Sequence, residues 1–580
     1  MVRLVRTLGL MAIKNASSQT SFFFAFSLVA LIFGTGRGHG ADPLPVDYAW
    51  QQEPKLDFDW WLKEPQLALQ VSVQRIASPL AIERLSAAQT ILRLSDHSAL
   101  DGPALLEALL TRLEQGEPQP YVRKEMVAAA CALDDGTSAE RLWSVVHDDF
   151  FTRPILERAC IRWGQAQPLE LWRDQLRSFE SGTHERARAL QGIAAVGSAS
   201  DLPSLIAIAT DGIASPVDRL AAAEAIGRLS TTDQLPLAQQ LRDSSASLGD
   251  LMSISVLGDQ ADRSHQDFVA AVAEEGEIVA QRRAYAWMCR LDKERALSKA
   301  TAYIMHRDPV IRELSVQQLV ESDADDTLGI LAQALHDKHP DVRNTTRALL
   351  LARAALSTEQ QQLISSIVAE TIQRQDWRSL EQALRLTVDM HLSEHVPRLL
   401  ELLEHNQSEV SITAAWALRH LATEEVHLQA MLEHAQILMH IQNGDTQPTD
   451  PIDESDLRRV AHLLEALGMR RFEPAQEMLL KYVPKDNQKM GLITRMAGMW
   501  GCGKMWEGQE NRKLADELCA RIADKSALFG EPESIRYAAM IALGWLADPA
   551  TLDSIRAYGE PLPTPIGHAT AWAVSRVEER

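Results

Sequence analysis

The sequence predicts an all-α fold: an α-solenoid, or superhelix, of stacked helix–turn–helix repeats of about 30–33 residues. The chain has 580 residues, whereas a single compact core stops growing at roughly 250–300 residues. Apolar residues make up 46% of the chain and aromatic residues 6%, which favours closely packed helices over a β-sandwich. A recurring helical stripe is the third observation, and it favours one extended array over several separate domains.

The stripe is an arginine followed by small or apolar residues three, four, seven and ten positions later, which places them on one face of a helix. In DRLAAAEAIGRL the arginine is Arg219, and Ala222, Ala223, Ile226 and Leu229 follow it. Other copies begin at Arg84, Arg123, Arg153, Arg186, Arg283, Arg312, Arg343 and Arg536, and at Ser411 in SITAAWALRHLA. From Arg123 to Arg343 the intervals are 29 to 33 residues, except for 64 residues, or two periods, between Arg219 and Arg283. A second apolar helix lies between copies, so each unit is predicted to be a helix–turn–helix.

Two of these copies carry a family resemblance. The segments DPVIRELSVQQL, from Asp308, and HPDVRNTTRALL, from His339, resemble HEAT repeats in the short form found in phycobilisome-lyase-type proteins. Their proline and aspartate suit the start of a helix, because proline is accepted in the first turn and aspartate caps free N–H groups. The resemblance covers residues 67–440 and 457–580. It implies an armadillo-like helical array that binds a macromolecule on its concave face.

Residues 1–40 have the pattern of a signal peptide. Basic residues precede an apolar run over residues 21–34, and Gly38 and Gly40 are placed like the small residues of a cleavage site before Ala41. The sequence therefore predicts an exported protein, periplasmic or secreted, that starts at Ala41 once the signal is removed.

The alternative is a membrane-anchored protein that keeps residues 21–36. That apolar run is shorter than the roughly 20 residues of a spanning helix, and no second run of spanning length follows in the sequence. Contact with a membrane is therefore expected only if this segment is retained.

The charge of the chain narrows the class of partner. The sequence has 58 basic and 79 acidic side chains, giving a net charge of −21. A chain this acidic lacks the basic footprint that a nucleic-acid backbone requires. We therefore expect a protein or peptide partner, with a basic one among the candidates, and no nucleic acid.

Residues 41–66 form a polar and aromatic segment between the signal and the first repeat. The segment includes Trp60 and Trp61, which are candidate partner contacts because tryptophan is favoured at binding hot spots. In the other interpretation these aromatic residues cover the otherwise exposed end of the first repeat.

Two irregular places interrupt the array near its end. Residues 441–456 are predicted to be an acidic inserted loop, and such loops often carry function. Farther on, MWGCGKMWEGQ contains Trp500 and Trp506, the other two candidate partner contacts. Its glycines are expected to interrupt a helix, giving a turn between packed helices or one wall of a pocket.

The sequence contains no persuasive catalytic motif, so no catalytic, cofactor-binding or metal-binding residue is predicted. Eight histidines between His391 and His462 are interpreted as surface or capping residues. Deoxyhypusine hydroxylase, an enzyme of similar repeats, holds two irons with repeated His-Glu pairs. This chain has one such pair, His184-Glu185, which is too few for that site.

The five cysteines form no CxxC motif. Cys131, Cys160 and Cys289 lie in helical runs and are predicted to be buried thiols. Cys502 and Cys519 are also expected to be thiols, and a disulfide between them is the alternative in an oxidising compartment.

Together these features predict an exported, non-catalytic HEAT-repeat scaffold that binds a protein or peptide on its concave face. Exposed arginines and acids would set the register of the partner, and scattered tryptophans would anchor it. Two alternatives stay open: an enzyme or small-ligand-binding protein with a pocket near Trp500–Trp506, and a membrane-tethered organiser.

Overall fold

The computed structural model describes residues 47–54, 72–94, 102–178, 181–244, 248–258, 262–320, 322, 326–443, 454–485, 490–526, 530–560 and 565–580. These residues form 30 α-helices joined by turns and short 3₁₀ segments, and no strand occurs among them. The predicted all-α solenoid is confirmed. The chain divides after Asp47, and everything described below belongs to the unit Tyr48–Arg580.

The helices form two layers that follow the alternation of the repeat, after a four-residue helix α1, Ala49–Gln52. The even layer is α2 Ala81–Leu94, α4 Pro120–Leu133, α6 Arg153–Trp163, α8 Thr183–Val196, α10 Pro216–Leu229, α12 Gly249–Leu257, α14 Ile278–Leu291, α16 Pro309–Val320, α18 Pro340–Ala354, α20 Trp377–Asp389, α22 Ser408–Leu421, α24 Glu454–Met469, α26 Leu492–Met505, α28 Glu533–Leu546 and α30 Pro565–Glu578.

The odd layer is α3 Gly102–Glu114, α5 Ala139–Val146, α7 Leu169–Arg177, α9 Leu202–Thr210, α11 Leu235–Asp243, α13 Gln266–Glu275, α15 Lys293–Tyr303, α17 Asp326–Ala334, α19 Thr358–Thr371, α21 Val396–Glu401, α23 Glu425–Asn443, α25 Gln476–Leu480, α27 Arg512–Ala523 and α29 Leu552–Tyr558. Each even helix packs against the next even helix, and each odd helix packs on the even helix that follows it.

The small residues of the stripe allow this close packing. In α10, Ala222, Ala223 and Ile226 are fully buried. Alanine at these positions lets α10 contact α8 on one side and α12 on the other, so that each repeat buries its apolar stripe against its neighbours. The periodic stripe of the sequence is therefore the core of the array.

The repeat arginines link consecutive repeats. Arg312 forms a bidentate ion pair with Asp337 at 2.6 Å, and it donates to the carbonyl of His306 at 2.8 Å. Its side chain is only 4% exposed. Comparable pairs join Arg84 with Glu117, Arg123 with Asp149, Arg186 with Asp218, Arg495 with Glu531 and Arg536 with Glu560. These side chains bind carboxylates within the fold, so they are not among the exposed arginines that are expected to set a partner's register.

The structure corrects the register of the stripe predicted to begin at Arg283. In α14 the buried position is occupied by Gln281, whose Nε2 donates to the Glu274 carbonyl, much as Arg219 donates to the Ala209 carbonyl in α10. Arg283 lies two residues farther on, about 200° around the helix, and points to the opposite side. Three adjacent polar residues, Gln-Arg-Arg, made the register ambiguous in the sequence.

Several predicted segments lie wholly or mainly outside the described residues. They are the signal region, residues 1–40, most of residues 41–66 with Trp60 and Trp61, and the loop over 441–456, of which residues 444–453 are not described. Among the helices that the structure does describe, none is long and apolar enough to cross a membrane.

Candidate functional site

The even helices from α6 to α18, apart from α12, leave one side uncovered. In α10, Val217, Glu224 and Arg228 are exposed or half-exposed at helical spacing, whereas the residues between them are mostly buried. The same positions of α14 carry Val279, Ala286 and Arg290, and α18 has its own exposed residues in the same register. We call this side of α6–α18 the open face. The short helix α12 between α10 and α14 is buried by comparison.

A tryptophan with two guanidinium groups lies on the open face. Trp287 of α14 is half-buried, and the guanidinium carbons of Arg283 and Arg290 each lie 5.8 Å from its ring centroid. Arg283 also pairs with Glu224 of α10 at 3.1 Å and bonds to Ser255 of α12 at 2.8 Å. Cations over an indole are attracted by its electron-rich face. The arrangement gives the open face an apolar surface bordered by positive charge.

The open face is locally basic although the whole chain is acidic. Arg158 of α6, Arg228 of α10 and Arg290 of α14 are exposed, and none of them forms an ion pair with the residues that the structure describes. Arg228 and Arg290 lie in the last turns of their helices, where a positive charge also complements the helix dipole. The three free charges are therefore available to a bound anionic group.

The same side of the even layer is buried in the later repeats. Every residue is buried from Ser379 to Val388 of α20, from Val460 to Gly468 of α24 and from Thr494 to Gly503 of α26. These helices carry polar side chains such as Glu381 and Glu465 at buried positions. A helix that is buried all round must be covered on its fourth side as well.

Part of this cover is the segment just before the first repeats, Tyr48–Glu53. The ring of Tyr48 stacks on His462 of α24, with centroids 4.7 Å apart and planes 16° apart. Ala49 is 6% exposed and belongs to the core of the later repeats. The main-chain N–H of Trp50 donates to Glu465 at 3.4 Å. We call the surface formed by His462, Glu465, Trp500 and Lys504 the α1 seat.

The far end of the segment is fixed by α26. The indole N–H of Trp500 donates to the carbonyl of Glu53 at 2.9 Å, and the Lys504 ammonium lies 4.0 Å from the Glu53 carboxylate. The ammonium also lies 3.8 Å from the ring centroid of Trp545 in α28. The segment is thus held at both ends by groups of the later repeats, although more than 400 residues separate them in the chain.

A buried charged group lies beneath the segment. Arg419 of α22 and Glu465 of α24 form an ion pair in which both side chains are at most 1% exposed. His420 lies beside them at an exposed position, with its Nε2 3.2 Å from the Arg419 guanidinium. The ring of His462 is fully buried, its Nδ1 is 3.5 Å from Glu465, and neither of its nitrogens makes a hydrogen bond.

Burial shifts the pKa values of this group. Burial is the main cause that lowers the pKa of His462, against the opposing effect of Glu465. Partial desolvation of the ring by neighbouring groups, and then the positive charge of Arg419, lower the pKa of His420 to about 4. Burial raises the pKa of Tyr48 to about 12. Both histidines and the tyrosine are therefore neutral at pH 7, and the ring of Tyr48 stacks on a neutral His462 ring.

The structure corrects the interpretation of Trp500 and its glycines. Residues 492–505 form one continuous helix, so the glycines do not interrupt it. A Cβ atom on Gly468 would lie 2.4 Å from the Cα of Gly501, which shows that these glycines permit close contact between α24 and α26. Trp500 is fully buried and bonded to Glu53, so its ring is closed to an external partner, while Trp506 is half-buried against the core.

Other residue predictions have mixed outcomes. The interpretation of the later histidines as surface or capping residues is wrong for His462, which is fully buried. Cys131, Cys160 and Cys289 are buried as predicted. Cys502 and Cys519 are free thiols, so the alternative disulfide does not join them. No group of metal-ligating side chains converges among the described residues.

Sequence reasoning missed both Trp287 and the α1 seat. The run Arg-Arg-Ala-Tyr-Ala-Trp from Arg282 to Trp287 held a signal, because an arginine and a tryptophan four residues apart share a helix face. The α1 seat left no comparable local signal in the sequence.

No protein-family model and no curated protein matches the chain. Solved structures of importin-β proteins are similar to it. A complex of Kap95p with RanGDP is 13% identical with a TM-score of 0.48, over 89% of this chain and 72% of that chain. Yeast importin-β (Kap95p) is 12% identical with a TM-score of 0.44, over 90% and 73%. Importin-β in an ammonium sulfate condition is 12% identical with a TM-score of 0.42, over 88% and 72%. The likeness concerns the helical-repeat fold alone.

Proposed function

We propose that this protein is an exported, non-catalytic scaffold that binds a segment of another protein along the open face. The observation that supports the proposal is the half-buried Trp287 between two arginines on the open face. The corresponding side of the even helices is buried in α20, α24 and α26 but is exposed around Trp287. A partly exposed tryptophan in a charged border is a frequent binding anchor. The repeat class we propose is the short HEAT form of the phycobilisome-lyase type.

The local charge of the open face favours an acidic partner segment. Arg158, Arg228 and Arg290 lie on α6, α10 and α14, which follow one another at intervals of two repeats. The positive charges therefore recur along the array. An extended acidic segment would neutralise them while an apolar side chain rests on Trp287. The net charge of −21 favours a basic partner, but the exposed arginines of the open face do not. A basic partner stays a prediction for acidic surfaces elsewhere.

The alternative of a ligand or catalytic pocket near Trp500–Trp506 is less well supported. Trp500 belongs to the core of the later repeats and is covered by Glu53. The described polar groups nearby, such as Lys504 and Glu507, bind each other rather than converge on a space for a substrate. We therefore favour binding over catalysis.

Affinity capture from the native host tests the open face. The bait is residues 41–580, compared with a triple variant, Trp287→Ala with Arg228→Glu and Arg290→Glu. The matched control is Arg177→Glu with Arg512→Glu, because these arginines lie on odd helices and are 70% and 63% exposed. We expect a partner that the wild type and the control retain and the open-face variant loses. A partner that all three baits retain equally would contradict the proposal.

The proposed export has its own test. Mass spectrometry of the protein from its native host should find a chain that begins at Ala41. A chain that retains residues 21–36 and sediments with membranes would instead support the membrane-tethered organiser. Neither outcome depends on the partner of the open face.

A further inference from the structure

The helices that build the α1 seat are held in place by contacts among the later repeats. Gly468 and Gly501 bring α24 and α26 into backbone contact, and Arg419 of α22 fixes the carboxylate of Glu465. Trp500 is packed into the core of the later repeats. The surface that receives Tyr48–Glu53 is therefore set by packing within the array, as a preformed binding site is.

Each element of the segment meets a matching group in the seat. Tyr48 stacks on a neutral ring, and the small side chain of Ala49 is buried in the core of the later repeats. Trp50 packs against the core of the later repeats and stacks on Tyr48, with centroids 5.6 Å apart, and Glu53 faces Lys504. The seat thus selects an aromatic residue, a small residue, a second aromatic residue and, three positions later, an acid.

The segment nevertheless leaves hydrogen-bonding groups of the site unsatisfied. Neither ring nitrogen of His462 makes a hydrogen bond, although the side chain is fully buried. The indole nitrogen of Trp50 is also buried without a hydrogen bond. Unsatisfied buried polar groups weaken a contact. The segment belongs to the same chain, so its binding is intramolecular and does not need a second molecule.

We propose that the α1 seat is a second peptide-binding site, which takes a short aromatic–small–aromatic–x–x–acid segment of a partner protein. The chain's own Tyr48–Glu53 occupies the site in the absence of that partner and competes with it. A partner segment that also offers a hydrogen bond to His462 has the advantage over this internal occupant. The inference does not use the open face, so it stands apart from the proposed scaffold function.

A labelled peptide with the sequence of residues 48–54 tests the proposal on the chain of residues 41–580. Trp50→Ala removes the stacked indole and should free the seat, so this variant should bind the peptide about tenfold more tightly than the wild type does. The matched control is the same peptide with arginine in place of its alanine, which should not bind. Circular dichroism of the variant shows that the helices are retained.

A measurement on the wild-type chain keeps the test independent of any variant. Excess peptide should raise the hydrogen-exchange rate of the Trp50 amide, because the peptide displaces the internal segment from Glu465. Equal peptide affinity for wild type and Trp50→Ala, binding of the arginine-containing control peptide, or unchanged exchange at excess peptide would each overturn the proposal.

Discussion

The open face and the α1 seat belong to the same layer of helices, yet similar ion pairs have opposite surroundings there. Arg283 and Glu224 on the open face are 31% and 32% exposed, whereas Arg419 and Glu465 beneath the seat are 1% and 0% exposed. A pair in contact with water contributes little, because solvent screens it. A buried pair cannot lose one partner without leaving a charge in the core. The repeat pattern therefore determines where the helices pack, while the covering segment determines whether their polar residues are exposed or buried.

The largest expected effect comes from breaking the buried pair. Glu465→Ala leaves the Arg419 guanidinium buried without its carboxylate and should destabilise α24 by about 3–5 kcal/mol. Hydrogen exchange of the α24 amides measures the loss as faster local opening. Glu224→Ala is the matched change on the open face and should cost about 0–1 kcal/mol. Equal losses at the two sites would show that the contrast in burial has no energetic meaning.

The glycine contact between α24 and α26 gives the next effect. Gly468→Ala places a methyl group against the backbone of Gly501 and should cost about 1–3 kcal/mol through overpacking. In α17, an added Cβ on Gly329 meets no atom within 4 Å, so Gly329→Ala should stabilise its helix by up to about 1 kcal/mol. Thermal unfolding of both variants checks the opposite signs. Stabilisation by Gly468→Ala would contradict the close helix contact.

Acid should weaken the later repeats more than the open face. The folded chain holds the pKa of His420 near 4 and that of His462 below its usual value of about 6.5. Below about pH 6.5 the unfolded chain binds protons that the folded chain does not, so stability present above this pH falls as the pH drops towards 4. Arg419 opposes protonation here, and Glu465 favours it.

Melting temperatures between about pH 7 and pH 5 measure this loss. His420→Gln should reduce the drop, because glutamine does not titrate. His184→Gln, at the exposed start of α8, is the matched control and should leave the drop as it is in the wild type. An unchanged drop in His420→Gln would remove His420 as a source of the acid sensitivity.

The smallest effect is expected from charge reversal on the open face. Arg228→Glu with Arg290→Glu should cost at most about 1 kcal/mol of the free energy of unfolding per substitution, since both side chains are exposed, form no ion pair with described residues and only complement the helix dipole. Urea unfolding followed by circular dichroism measures the change. A large destabilisation would assign these arginines to the fold and weaken the case for a binding surface.

The sequence predicted the solenoid because its repeat is a packing pattern. Ala222, Ala223 and Ile226 recur at helical spacing for the same reason that they are buried, which is contact with neighbouring repeats. The pattern predicted less about arginine, because Arg219 and Arg283 look alike in sequence although one faces the core and the other faces Trp287. A shift of two positions in the repeat register cannot be recognised from the sequence when consecutive residues are all polar.

The α1 seat was beyond sequence reasoning for a different reason. Glycine usually marks a turn, and that rule misassigned Gly501, whose contact is Gly468 on the previous even helix. The hydrogen bond between Trp500 and Glu53 joins residues 447 positions apart. No periodicity within the repeats encodes such a pair, since it depends on how the whole array brings a distant segment onto α26.

The position of Tyr48–Glu53 also has a consequence for the order of folding. This segment leaves the ribosome before α2–α30, but its binding groups, His462 to Lys504, are made more than 400 residues later. Closing a loop of more than 400 residues is a late and entropically costly event, so helices near the start should form first. Engagement of Tyr48 and Trp50 would then report that synthesis has passed α26 and that α24 and α26 have packed together.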